Sequence, residues 1–153
     1  SLNNVAKRMF DTANKLNAKS FVRINGDSPL IDPEIILKGV KYFQQANYDL
    51  VTNIFPRSYP VGQSVEIINT NSLGLILSKN MSLPEQEHVT QFFYNNSKEF
   101  NIFNFMNEDD LSKYRLVVDT KSDFNKIKKI INNMVSPYTK YTMNEIIYSL
   151  YKK

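Results

Sequence analysis

The 153-residue sequence contains no cysteine, which excludes a disulfide framework and thiolate chemistry and is compatible with a reducing compartment. It holds only four glycines and six prolines, so collagen-like repeats and extended disorder are out. Histidine occurs once, at His88, which rules out a histidine cluster. No apolar run approaches the roughly 18 residues of a membrane span, and the N-terminus lacks a signal-peptide apolar region. From these absences a soluble, cytoplasmic protein is expected. Charge of one sign is also scarce: 19 Lys+Arg against 15 Asp+Glu give +4, carried by scattered lysines. A nucleic-acid footprint needs a concentrated basic face, so nucleic acid is not an expected partner.

What remains is an ordinary globular composition, with 42% hydrophobic and 22% charged residues. The length suits one domain or part of a larger one. The 19 asparagines are spread evenly, which reads as compositional bias instead of a prion-like tract. The first residue is Ser, not Met, so the 153 residues are expected to be less than the whole natural protein.

Val5, Met9, Ala13 and Leu16 recur at helical spacing behind Asn3 or Asn4 as a cap. Ser20 to Ile24 reads as a strand, followed by the turn Asn25-Gly26-Asp27-Ser28-Pro29. Asp32-Pro33-Glu34 then starts a helix running to about Ala46. Strands are expected at Tyr48–Thr52, Ser64–Ile68, Asn101–Phe105 and Arg115–Val118, and helices at Asn71–Lys79 and Pro84–Asn96. Phe124, Ile127, Ile131 and Met134 mark a helix after Asp119-Thr120, and Thr142 with Glu145 form a capping-box pattern before the last one. Strands alternating with helices predict an α/β fold with a mostly parallel sheet flanked by helices.

In such a sheet ligands collect beyond the carboxyl ends of strands. Asp27 and Asp119 each follow an apolar strand segment, and if the strand ends are neighbours the two carboxylates could share Mg2+. Asp119 could equally cap the helix that follows, whereas for Asp27 that reading is weaker because Asp32 is better placed to cap the next helix. Glu87 and His88 are further candidates, since an imidazole can bond a sugar hydroxyl or act as acid or base, although a lone histidine on a helix is commonly a surface residue. Arg57, Tyr59 and Glu66 bracket the Pro60-Val61-Gly62 turn and suit an anionic or hydroxylated ligand, or form only an exposed loop.

Arg23-Ile24-Asn25-Gly26-Asp27-Ser28-Pro29-Leu30-Ile31-Asp32-Pro33 resembles the R-I-x-G-D-x-P-L-I-D-P signature of the spore-coat-polysaccharide-type cytidylyltransferases, relatives of the CMP-sialic acid and CMP-KDO synthetases. Four further segments follow in the same order. Tyr48-Asp49-Leu50-Val51-Thr52-Asn53 is similar to D-Y-V-S-N, and Tyr59 to Glu66 is similar to Y-P-x-G-x-D-V-E. Glu87-His88-Val89-Thr90 resembles R-E-H-V-T, and Arg115 to Thr120 with Asp123 resembles R-x-T-V-D-x-x-x-D.

The resemblance implies a nucleotide-diphospho-sugar-transferase-like fold and a metal-dependent transfer of CMP from CTP to an acidic or activated sugar. It also implies Asp27 and Asp119 as Mg2+ ligands, Glu87 and His88 facing the sugar with Arg57, Tyr59 and Glu66 near it, and a homodimer. The chain departs from the pattern at Gln63, Ser64 and Gln86, where the family usually has Leu, Asp and Arg. The family's basic R-x-x-S-x-R-L-P-x-K loop, which cradles the triphosphate, has no counterpart in the 153 residues. The chain is therefore expected to be the C-terminal two-thirds of such an enzyme, without the segment that binds most of CTP and inactive alone. The second reading is a degenerate, non-catalytic relative acting as a binding or assembly module.

Overall fold

The computed structural model describes residues 4–151, so Asn3 as an alternative cap and the terminal Lys152-Lys153 pair lie outside the described residues. The chain opens with α1 (Val5–Lys15), whose first turn is closed by the Asn4 side chain accepting from Lys7 N. β1 (Ser20–Arg23) follows, then α2 (Pro33–Phe43), with Asp32 accepting from Glu34 N and proline in the first turn as expected. β2 (Leu50–Thr52) leads through an irregular loop to β3 (Glu66–Asn69) and α3 (Thr70–Leu77). Two short helices, α4 (Leu83–Glu87) and α5 (Gln91–Asn95), precede β4 (Ile102–Asn104). α6 (Lys121–Asn132) and α7 (Met143–Tyr151) close the chain. Among the described residues no helix is long and apolar enough to cross a membrane.

The expectation of a mostly parallel sheet is corrected. The strand order is β1-β3-β2-β4, and β3 runs antiparallel to both β1 and β2, while β2 and β4 are parallel. The cause is the connection 53–65, which contains no helix, so the chain leaving β2 returns beside it in the opposite sense. A second correction concerns Arg115–Val118, which makes only an isolated parallel bridge between Val61 and Arg115. It runs along loop backbone, where no regular ladder is offered. The third is the expected helix Pro84–Asn96, which is broken around His88. Val89, Thr90, Phe92 and Phe93 are all buried, more of the circumference than one amphipathic stripe provides, and the break lets each turn inward.

Both faces of the sheet are covered. Val51 and Ile67 point into a core with Leu30, Ile35, Tyr59, Phe105, Ile127, Ile130 and Ile146. Their neighbours Leu50 and Ile68 point the other way, into a second core with Ala6, Leu73, Ile76, Val89 and Phe93. This alternation follows from the two-residue repeat of a strand, and it fixes which side chains share a face at the strand ends.

Candidate active site

β1, β2 and β4 run in one direction, so their carboxyl ends meet the start of β3 at one end of the sheet. The register sets Arg23 opposite Glu66, Glu66 opposite Thr52 and Thr52 opposite Asn104. Each lies two residues from Phe21, Ile68, Leu50 or Ile102, so the four share the face that packs beneath α1, α3 and α5.

Glu66 is only 1% exposed, and a carboxylate in that position must be paired. Its Oε2 receives Arg23 Nη1, and its Oε1 accepts the Tyr94 hydroxyl from α5. Because the carboxylate can only accept, the Tyr94 proton is committed to it, and Thr52 Oγ1, 2.9 Å from the phenol oxygen, is the donor in that pair. Thr52 Oγ1 in turn accepts Ile54 N–H at 3.3 Å. Thr90 O accepts Tyr94 N–H at 3.3 Å, which places the Glu87-His88-Val89-Thr90 segment directly before this cluster. Burial, and then the Glu66 charge, push the Tyr94 phenol well above its ordinary value. Phe55 stacks on the Tyr94 ring with centroids 4.7 Å apart, and its loop is pinned to the sheet end by Phe55 N–H donating to Asn104 Oδ1 at 2.9 Å.

Arg57 stands beside this cluster. Its guanidinium donates to Ser64 Oγ at 3.1 Å and to Pro60 O at 3.3 Å, both neutral acceptors. Burial draws its pKa below the ordinary value, against the opposing pull of Glu66 and Tyr94. Tyr59 is placed elsewhere: it is 2% exposed, packs edge-to-face on Phe105 at 5.7 Å and accepts from Lys38 Nζ at 3.4 Å on the α2 side. Glu87 and His88 are exposed at the end of α4, where His88 N–H closes the last turn on Pro84 O at 2.7 Å.

The loops of Asp27 and Asp119 are brought together by backbone. Val118 N–H donates to Asp27 O at 2.8 Å, so the residue before Asp119 is bonded to Asp27 itself. Neither acid caps the neighbouring helix. Asp32 takes that role for α2, and Thr120 with Asp123 forms the capping box of α6. Asp27 Oδ1 accepts Ser28 Oγ at 2.9 Å. The Asp119 carboxylate pairs with Arg115 Nη2, while Arg115 Nε lies 3.6 Å from Asp123 Oδ1. Hydrogen bonds from the Thr120 hydroxyl and backbone hold the Asp123 carboxyl below the usual carboxylate range.

A buried polar scaffold fixes these loops. Gln63, 0% exposed, accepts Asp32 N–H at 2.9 Å and donates to Leu30 O at 2.7 Å. Asn53 spans the Gly62 turn by donating to Gln63 O at 2.7 Å and accepting Val65 N–H at 2.9 Å. The second Asp32 oxygen accepts Met143 N–H at 2.8 Å, so one carboxylate serves the starts of both α2 and α7. Gly62 has φ +98, and a Cβ there would come within 2.5 Å of Leu116 O, because segment 114–118 passes directly over it.

Among the described residues no group of three or more His, Cys, Asp or Glu is placed to hold a metal ion. Asp27 and Asp119 are nevertheless hard oxygen donors on adjoining loops, and Mg2+ commonly takes one or two carboxylates and completes its shell with water and phosphate. The donor chemistry fits. Arg23, Thr52, Tyr94 and Asn104 were not singled out from sequence. Arg23 heads the Arg23-Ile24-Asn25-Gly26-Asp27 stretch, but its partner depends on strand register, and Tyr94 carries no sequence signal at all.

The comparisons with known proteins agree with this architecture. A family model described as cytidylyltransferase matches residues 1–148. The chain is 30% identical over 122 residues to an uncharacterised protein of Methanocaldococcus jannaschii, covering 78% of this chain and 49% of that protein. It is 29% identical over 116 residues to the spore coat polysaccharide biosynthesis protein SpsF of Bacillus subtilis, covering 71% of this chain and 45% of SpsF. It thus spans about half the length of these curated relatives. A solved cytidylyltransferase from Leptospira borgpetersenii serovar Hardjo-bovis superposes with a TM-score of 0.90 at 32% identity, covering 96% of this chain and 62% of that one. With nearly every residue inside the family match and the same fold in a solved relative, the chain belongs to the cytidylyltransferase family.

Proposed function

We propose that this chain is the sugar-facing part of a nucleotidyltransferase that moves CMP from CTP to an acidic or activated sugar for surface polysaccharide synthesis, acting in the cytoplasm as a homodimer. The observation that carries the reading is the Val118 N–H bond to Asp27 O, which makes the two acidic loops one unit at the edge of the polar sheet end. Family membership and the name of the SpsF relative support the reaction class and its setting.

In the reaction an oxygen of the sugar attacks the α-phosphorus of CTP, the new phosphorus–oxygen bond forms, and the bond to the β-phosphate oxygen breaks to release pyrophosphate. Asp27 and Asp119 would hold Mg2+, which neutralises phosphate charge and aligns the attacking oxygen when bound. Arg57, Glu87 and His88 would meet the sugar with charge and hydrogen bonds. Glu66 has both oxygens engaged by Arg23 and Tyr94, so its contribution is to anchor the cationic groups around it. Tyr59 contributes through the packing under its loop.

The 153 residues contain no R-x-x-S-x-R loop, and the isolated chain is expected to release no pyrophosphate from CTP. The test is pyrophosphate release by the full-length natural protein with CTP, Mg2+ and a panel of sugar acids, on a preparation whose mass by light scattering is expected to be that of a dimer. Asp27→Asn should lower the rate by about 100-fold, or about 2.7 kcal/mol of lost metal assistance. An unaffected rate would overturn the role of Asp27 as a metal ligand, and no turnover with any sugar would overturn the enzyme reading. The second outcome favours the alternative, a non-catalytic binding or assembly module, for which Ser64 in place of an acid beside Arg57 already speaks.

A further inference from the structure

Among the described residues, Asp119 is the member of the acidic pair that has a cationic partner. Arg115 occupies its Oδ2, and the pair stands at the surface with side chains 43% and 50% exposed. The same guanidinium has a second acid in reach, since its Nε is 3.6 Å from Asp123 Oδ1. The two acids are held very differently. Asp123 Oδ2 is fixed by Thr120 N–H at 2.9 Å, Thr120 Oγ1 at 2.9 Å and Asp119 N–H at 3.2 Å, as part of the α6 capping box. The Asp119 carboxylate is instead met by a long, movable side chain. The Arg115 backbone, by contrast, is anchored through its bridge to Val61 and through its carbonyl, which accepts Lys126 Nζ at 3.4 Å.

We infer that Arg115 is a resident counter-ion that competes with the divalent cation for Asp119, and that Asp123 is the place it moves to when the cation arrives. The guanidinium lies against the Asp119 carboxylate through Oδ2, and its positive charge there opposes the approach of a second cation. The hand-over costs little, because Arg115 keeps an acidic neighbour throughout and an exposed ion pair is a weak one. Arg115 is thus a positioning residue that sets how much cation, or cation-loaded phosphate, the site demands before it fills. This inference rests on the reading of Asp27 and Asp119 as the cation pair.

The test is a titration of the 153-residue chain with Mn2+, followed by electron paramagnetic resonance of the free ion, for wild type, Asp27→Asn, Arg115→Gln and Lys128→Gln. Binding that depends on Asp27 is expected, with the dissociation constant about threefold to tenfold lower in Arg115→Gln at low salt. That gap should narrow as salt rises to about 0.5 M, where exposed charges are screened. Lys128→Gln removes an equal charge from the exposed side of α6 and should change affinity less. In a parallel Mg2+ titration the Arg115 Nε–H resonance should shift with the same midpoint as the Asp27 amide. Asp27-dependent binding that is equal in wild type and Arg115→Gln, or equally tightened by both charge removals, would overturn the role of Arg115 and leave the metal pair standing. Binding indifferent to Asp27 would overturn the metal pair and this inference together.

Discussion

Glu66 illustrates how burial decides a residue's role. A charge that is 1% exposed survives only with its oxygens engaged, and here Arg23 and Tyr94 engage both. Sequence order marks Glu66 as a polar residue near a turn, which is correct, but whether it faces ligand or core is decided by strand parity and by a tyrosine from another element. The arrangement predicts that Tyr94→Phe, which keeps the ring stacked on Phe55, costs about 1–3 kcal/mol at neutral pH by leaving Glu66 Oε1 without its donor. The raised Tyr94 pKa adds a pH dependence. In the unfolded chain the phenol ionises near pH 10, whereas in the folded protein it keeps its proton, so this contribution is complete below about pH 10 and is lost as pH rises further. Denaturation midpoints at pH 7 and above pH 10 check both points. A Tyr94→Phe protein as stable as wild type at pH 7 would contradict the account.

Between residues and fold stand the elements, and what was legible at this scale followed local chemistry. Asp32 before Pro33, Thr120 with Asp123, and Thr142 with Glu145 mark helix starts by hydrogen bonds made within three residues, and all three helices begin there. Strand direction and the break at His88 depend on distant partners, so neither could be read along the chain. The same limit hid the scaffold of Asn53, Gln63 and Asp32, which joins residues up to 111 positions apart. The Gly62 turn is the hinge of that scaffold: its φ of +98 disfavours any side chain, and a Cβ would strike Leu116 O at 2.5 Å. Gly62→Ala is therefore expected to destabilise the protein by about 1–3 kcal/mol or more in chemical denaturation, with the loss concentrated in hydrogen-exchange protection of the Leu116 and Val118 amides. Unchanged protection of those amides would show that the turn does not hold the Asp119 segment in place.

Over the whole molecule, a mixed four-stranded sheet separates two cores and gathers the strand ends, the Glu66 cluster and the laced acidic loops toward one end. The motif order along the chain made the family legible before any geometry was known, because short segments with loop chemistry between them occur in sequence over nearly its full length. It could not make the mixed sheet legible, since β3 inserts between β1 and β2 through tertiary pairing alone. The central claim is that Asp27 and Asp119, separated by most of the chain, form one cation site through the loops that Val118 joins. Paramagnetic broadening of amide resonances by substoichiometric Mn2+ tests it most directly. The account predicts that amides of 25–28 and 117–120 broaden first and together, and that Asp27→Asn abolishes the effect on both. Broadening centred on the acidic turn at Asp109-Asp110, or on one loop without the other, would contradict it.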